Sequence, residues 1–242
     1  MKYGLPVILC LVFFAFMPKI ALASVVSVDK NGNIVWNVLS AEDSLGVVKP
    51  QTLTVTSVSL ANTAGSSAEI SLSRLDGRVS LDVKDNGQNK SLDVSGLTGD
   101  VIDIEARPQV QSLKIGLLED KFSLIQGDVI ATTVFPISVD PKTASLSVLT
   151  DSGNRYILIF PRDAFSDAVR AKIISKLGQN GVSLLENAKG ELNYHLSGVK
   201  TINIFNLATY DVPTTADISA TTGEVLKIDQ PVWYRLLSFL FS

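Results

Sequence analysis

The sequence predicts a mainly β protein with an α+β C-terminal part: an antiparallel β-sandwich or meander, then one amphipathic helix packed on an antiparallel sheet. Three observations predict it. Apolar residues alternate with polar ones at period two along much of the chain, as in strands with one face in a core. Turn compositions separate these runs about every ten to twelve residues, a spacing typical of all-β folds. A single stretch near Phe165 changes to the 3.6-residue period of a helix.

Residues 1–23 read as a secretory signal peptide. Lys2 is the positive start, Leu5 to Phe16 is an apolar run, and Pro18 and Lys19 end it. Ala21 and Ala23 place small residues before a cleavage point at Ser24. Cys10 is the one cysteine of the chain, so no intrachain disulfide can form. Leu9 ahead of it and the continuing apolar run argue against a lipid-modified cysteine. An exported chain of this kind must be held by its core.

Residues 24–140 read as a β-sandwich-like domain. Ser24 to Asp29 and Asn33 to Ser40 flank Lys30-Asn31-Gly32-Asn33, where Asn-Gly predicts a tight hairpin with positive φ at both central positions. Inward positions then recur at Leu72, at Val79, Leu81 and Val83, and at Leu92 and Val94. They continue at Ile102 and Ile104, and at Leu113, Ile115 and Leu117. No fixed-period repeat keeps a register, so a solenoid ranks below a sandwich. Pro136 and Pro141 interrupt any ladder between Thr132 and Thr143, which places a junction there.

Residues 141–230 read as an α+β domain. A hairpin turns at Asp151 to Asn154. A helix is expected from Asp163, as its cap, to Leu177, with Phe165, Val169, Ile173 and Leu177 on one face and Gly178 as the stop. Strands resume at Val182, turn at Lys189-Gly190, and run on to Asp229.

Within this part, Thr214 to Ile228 (TTADISATTGEVLKI) resembles the closing hairpin of PepSY-type domains, a strand, a Thr-Gly-Glu turn and a second strand. The resemblance implies a small extracytoplasmic module that regulates or inhibits a peptidase, and it brings no catalytic residue. The Pro-aromatic-Leu-rich ending is similar to that of uncharacterised exported bacterial proteins, which would imply a family without known function.

Chemistry is sparse. His195 is the only histidine and lies in an alternating strand. No Gly-x-Ser-x-Gly accompanies any serine, and one histidine without cysteines is a poor zinc site. Asp29 to Asn33 and Asp85 to Asn89 offer oxygen ligands for calcium, but Gly32 comes too early for an EF-hand and Val38 stands where the closing Glu belongs. Asp103 and Glu105 share a strand face, which suits an acidic outer surface better than a glycosidase pair. Asp103, Glu105 and His195 are the candidates for a hydrolase. No cofactor, metal or catalytic set is assigned.

Removing Lys2 and Lys19 leaves 19 basic against 24 acidic residues with no basic stripe, which speaks against nucleic acid. The abundant Ser, Thr and Asn suit outer strand faces and equally a glycan or peptide ligand. Residues 231–242 form an apolar tail whose only charge is Arg235. On a helix, Trp233, Leu236, Leu237 and Leu240 share a face, which docks either on the protein's own sheet or on a membrane as a peripheral foot. A helix of that length reaches ~16 Å, too short to span a core of ~30 Å. The expected function is an exported, non-enzymatic interaction protein, secreted or bound to the cell envelope, with an envelope protein or glycan as partner.

Overall fold

The computed structural model describes residues 24–37, 68–85, 87–107, 111–204 and 208–237. The expected signal peptide (1–23), Leu240 and the residue between Asp85 and Gly87 lie outside them. The described residues form two sheets. The first part of the chain gives β1 (Val26–Val28), β2 (Ile34–Trp36), β3 (Glu69–Leu75), β4 (Arg78–Asp85), β5 (Gln88–Asp93) and β6 (Gly99–Ile104). Next come β7 (Leu113–Leu118), β8 (Lys121–Gln126), β9 (Val129–Thr133), β10 (Ile137–Asp140), β11 (Ser145–Thr150) and β12 (Gly153–Ile157). Helix α1 (Pro161–Arg170) leads into β13 (Lys176–Glu186), β14 (Leu192–Ile204), β15 (Ala208–Ser219), β16 (Val225–Asp229) and helix α2 (Val232–Leu237).

The larger sheet has ten strands in the order β16-β15-β14-β13-β9-β8-β7-β6-β1-β2, the smaller six in the order β12-β11-β10-β3-β4-β5. Neighbours run antiparallel except β1 beside β6 and β9 beside β13. The alternation read from the sequence is the alternation of burial. Leu72, Val79, Leu81, Val83, Ile102, Ile104, Leu113, Ile115 and Leu117 are buried, and Leu92 packs against them from a half-buried position. Both sheets contribute to one hydrophobic cluster, so the architecture is a sandwich with a helix added.

That cluster revises the division into 24–140 and 141–230. The larger sheet joins β9 to β13 through Val182 opposite Ala131, and the smaller joins β10 to β11 through Ile137 opposite Val148. Each sheet therefore draws strands from both sides of residue 140. The prolines mark a change of sheet, not of domain. The chain leaves β9, passes Pro136, which has no N–H to offer a ladder, and enters β10 across the core. Pro136 still contributes its carbonyl, which accepts from Leu149 N–H at 3.0 Å.

The first turn also differs from its expectation. Val28 pairs with Ile34, leaving a five-residue loop in which Gly32 has positive φ and Asn31 does not. Asp29 decides this: its Oδ1 accepts from the N–H groups of Asn31 and Asn33, both at 2.8 Å, an Asx-turn that competes with the tight hairpin. The true two-residue turn of that kind is at Asp76-Gly77, both at positive φ, between Leu75 and its partner Arg78. Arg107 ties the Asp29 loop to the β10–β11 turn, donating to the carbonyls of Asp29, Pro141 and Lys142. The two turns meet so closely that a Cβ on Gly32 would lie 2.8 Å from the Pro141 oxygen.

Helix α1 is shorter than expected and turns a different face inward. Phe160 occupies the cap position, Pro161 opens the helix, and Asp163 sits in the first turn. The orphan N–H of Arg162 is met from outside the helix by Gln126 Oε1 of β8, at 3.0 Å. Pro161, Ala164 and Ala168 are the buried positions, with Phe165 half-buried against the core, while Val169 is exposed. Small alanines let the helix lie close to β8 and β9. It ends at Lys172, which takes positive φ. Lys172 N–H donates to Val169 O, and Ile173 N–H to Ala168 O, a Schellman closure without glycine. Ile173 and Ile174 are buried just beyond the helix, and Leu177 already belongs to β13.

Candidate functional site

Sequence reasoning singled out scattered residues, and the structure keeps most of them apart. Asp103 lies on β6 and His195 on β14, five inter-strand steps away, roughly 24 Å at ~4.8 Å per step. Asp103 faces Lys114 across the ladder. Burial raises its carboxyl above the usual range, and Lys114 partly opposes this. Lys114 itself bonds Asp100 at 2.7 Å. Glu105 accepts from the backbone N–H of Lys30 at 3.2 Å. The Asp29 carboxylate is spent on its own loop, Asn33 Nδ2 included at 2.7 Å. Among the described residues no three His, Cys, Asp or Glu side chains gather as a metal site.

The functional geometry concentrates at the β13–β16 end of the larger sheet. His195 stands directly between Ser183 of β13 and Asp217 of β15, and Asp217 in turn faces Lys227 of β16. Partners in register point to one face, so the four form a polar row. His195 Nδ1 is 2.7 Å from Asp217 Oδ1. An ionised carboxylate only accepts, so it holds the imidazole in the Nδ1–H tautomer. Lys227 Nζ is 2.5 Å from Asp229 Oδ2, and that hydrogen bond, with the charges of Asp229 and Asp217, raises the ammonium above its ordinary value.

Two residues along each strand, a second row runs through Ser197, Thr215 and Asp229. Here β13 loses register: Leu177 faces Gly198, the next pair is Val182 with Leu196, and residues 178–181 bulge away. The break leaves a groove of about 600 Å³ whose lining includes Ser197, Thr214, Thr215, Asp229 and Gln230. Sequence reasoning missed this groove. Its signal was Gly178 and Gly181 inside an otherwise strand-like run, since an isolated strand glycine marks a bulge.

On the opposite face, β14 and β15 run on past the sandwich as a long hairpin. Ile202 and Val212 there form a separate small cluster with Tyr234 of α2. Tyr234 is only 4% exposed, and Lys200 Nζ lies 5.4 Å from its ring centroid. Its neighbours point away: Val232 is 66%, Trp233 41% and Leu236 69% exposed. Trp233 meets Tyr210 of β15 edge-on at 5.8 Å. Val225, Leu226 and Ile228 of the edge strand β16 are exposed as well. The exposed apolar side chains of residues 225–236 thus form a rim, interrupted by Lys227, Asp229 and Arg235. The tail's buried anchor is Tyr234 and not Trp233 or Leu236; the Leu237 side chain and Leu240 lie outside the described residues.

Residues 214–228 do fold as strand, turn and strand, with Gly223 N–H bonded to Ser219 O. Comparison with protein-family models, with curated proteins and with solved structures finds no match to this chain.

Proposed function

We propose that this chain is an exported, non-enzymatic interaction protein of the cell envelope, which meets a lipid surface through its C-terminal rim. The observation that supports this is the split character of α2. Tyr234 fastens the helix to the β14–β15 hairpin, while Val232, Trp233 and Leu236 are held outward. Fixing the helix lowers the entropy lost when those side chains enter another phase. Trp favours the membrane interface, and Arg235 of the same helix adds a cationic group to it. Among the described residues no helix is long and apolar enough to cross a membrane, so the contact is peripheral.

The test uses phosphatidylethanolamine–phosphatidylglycerol vesicles and the full chain. Co-sedimentation should be lost in a Trp233→Ser/Leu236→Ser double variant whose melting temperature is unchanged. Binding that survives both changes would remove the rim from the mechanism. Fractionation of producing cells checks export separately. A peptidase partner is the second reading, supported only by the strand-turn-strand form of residues 214–228; capture of a peptidase by the immobilised chain, abolished by changes in that hairpin alone, would put it first.

A further inference from the structure

We infer that the groove at the β13 bulge is a binding site for a neutral, hydroxyl-rich ligand, an oligosaccharide segment. This goes beyond the rim contact and does not depend on it. The groove is built by the sheet. Opposite Ser197 the β13 chain bulges away, while β15 stays in register through Ser197 opposite Thr215. Beside the bulge Gly198 lets β13 and β14 approach closely: a Cβ there would sit 2.3 Å from the Lys176 oxygen and 2.8 Å from Ile174 Cγ2. The volume of about 600 Å³ lies within the range of small-ligand sites, ~300–1,000 Å³.

The lining selects the ligand class by exclusion. Among the described residues no Lys or Arg lines the groove, so none of them balances a phosphate or carboxylate there. Its one carboxylate, Asp229, is already paired with Lys227 at 2.5 Å, so a free cation gains little. Among the described residues no aromatic or large aliphatic side chain lines it, which disfavours an acyl chain. What remains are the hydroxyls of Ser197, Thr214 and Thr215, the Gln230 carboxamide, whose Nε2 donates to Thr214 Oγ1 at 3.4 Å, and the rings of Pro213 and Pro231. Hydroxyls and a carboxamide both donate and accept, the pattern that matches neighbouring sugar hydroxyls. The lining comes from β13, β14, β15 and the end of β16. It therefore crosses strands and does not follow an open edge, where an extended peptide would find unpaired backbone groups.

Amide chemical shifts of the isotope-labelled full chain, titrated separately with chitotetraose, maltotetraose and mannotetraose up to ~10 mM, test this. Saturable shifts at Ser197, Thr215 and Gln230 with at least one sugar are expected. Thr215→Val, isosteric and on the outer face, should weaken binding about three- to tenfold, as expected for one lost hydrogen bond. Ser197→Ala should do the same, and each variant's spectrum reports its own fold. The Trp233→Ser/Leu236→Ser variant, which is expected to lose vesicle binding, should bind the sugar normally, which separates this site from the rim. Absence of shifts with all three sugars would overturn the inference. So would stronger shifts with an uncharged acetylated tetrapeptide, or sugar binding that is unaltered in two folded groove variants.

Discussion

Ile115 and Leu124 belong to a cluster to which both sheets contribute, whereas Ile202 and Val212, at the far end of the β14–β15 hairpin, share theirs only with Tyr234. The strands are continuous from one region to the other, and β14 pairs with β15 without a register break from Asn193 to Ile204. Only the cover differs. In the sandwich it is a second sheet, reached through long-range pairing. At the hairpin tip it is one aromatic side chain from a helix of six residues. A hydrogen-bonded ladder can thus outrun the core that stabilises it, and the chain then supplies a local patch. The outward side of that patch remains available for contact.

The largest expected effect lies in the sandwich. Phe122→Ala should cost about 3–5 kcal/mol, because Phe122 is fully buried and its removal leaves a cavity. Denaturant unfolding should show this as one cooperative shift. If only half the strands melted, the two sheets would not share a core. Tyr194 probes the same region through pH. Its hydroxyl donates to Ile159 O at 2.9 Å, and burial pushes its ionisation far above the ordinary value of 10.0. The unfolded chain therefore loses this proton first as pH rises past ~10, and stability should fall by ~1.4 kcal/mol per pH unit from this group. Tyr194→Phe should flatten that decline.

Smaller effects belong to the region beyond the sandwich. Gly198→Ala, at the boundary, forces a Cβ against the Lys176 carbonyl and should cost about 1–3 kcal/mol. Tyr234→Ala should cost about 1–2 kcal/mol, and hydrogen exchange should rise at residues 200–204 and 208–212 while the sandwich amides stay protected. Equal loss of protection in both regions would erase the distinction drawn above. Smallest is the outer pair: Asp217→Asn removes the charge from a partly exposed contact to His195 while keeping an acceptor oxygen, and should change stability by less than ~1 kcal/mol.

Much of this was legible in residues. Period-two alternation marked the inward positions from Leu72 to Leu117, because a strand with one buried face requires it. The helix was legible as a helix but not in its face. Val169 weighs more than Ala164 or Ala168 on any hydrophobic scale, yet the alanines face the sheet because small side chains allow close approach. Its end at Lys172 carried no sequence signal, since glycine, not lysine, is the usual residue there. In the tail, periodicity selected Trp233 and Leu236, but the pocket left by Ile202 and Val212 takes Tyr234.

By itself, the sequence determined the mainly β class, the inward positions of most strands, the lack of an intrachain disulfide and the unusual apolar ending. These follow from local rules: alternation, turn chemistry and a cysteine count each act within a few residues. Only the tertiary structure decided that residues 24–140 and 141–230 share both sheets, that β9 and β13 pair in parallel, and that His195 meets Asp217. It also decided that a bulge opens a polar groove beside them. Strand partners far apart in sequence are chosen by which unpaired edges and apolar faces remain to be covered once the whole chain is folded, and no short stretch of residues encodes that choice.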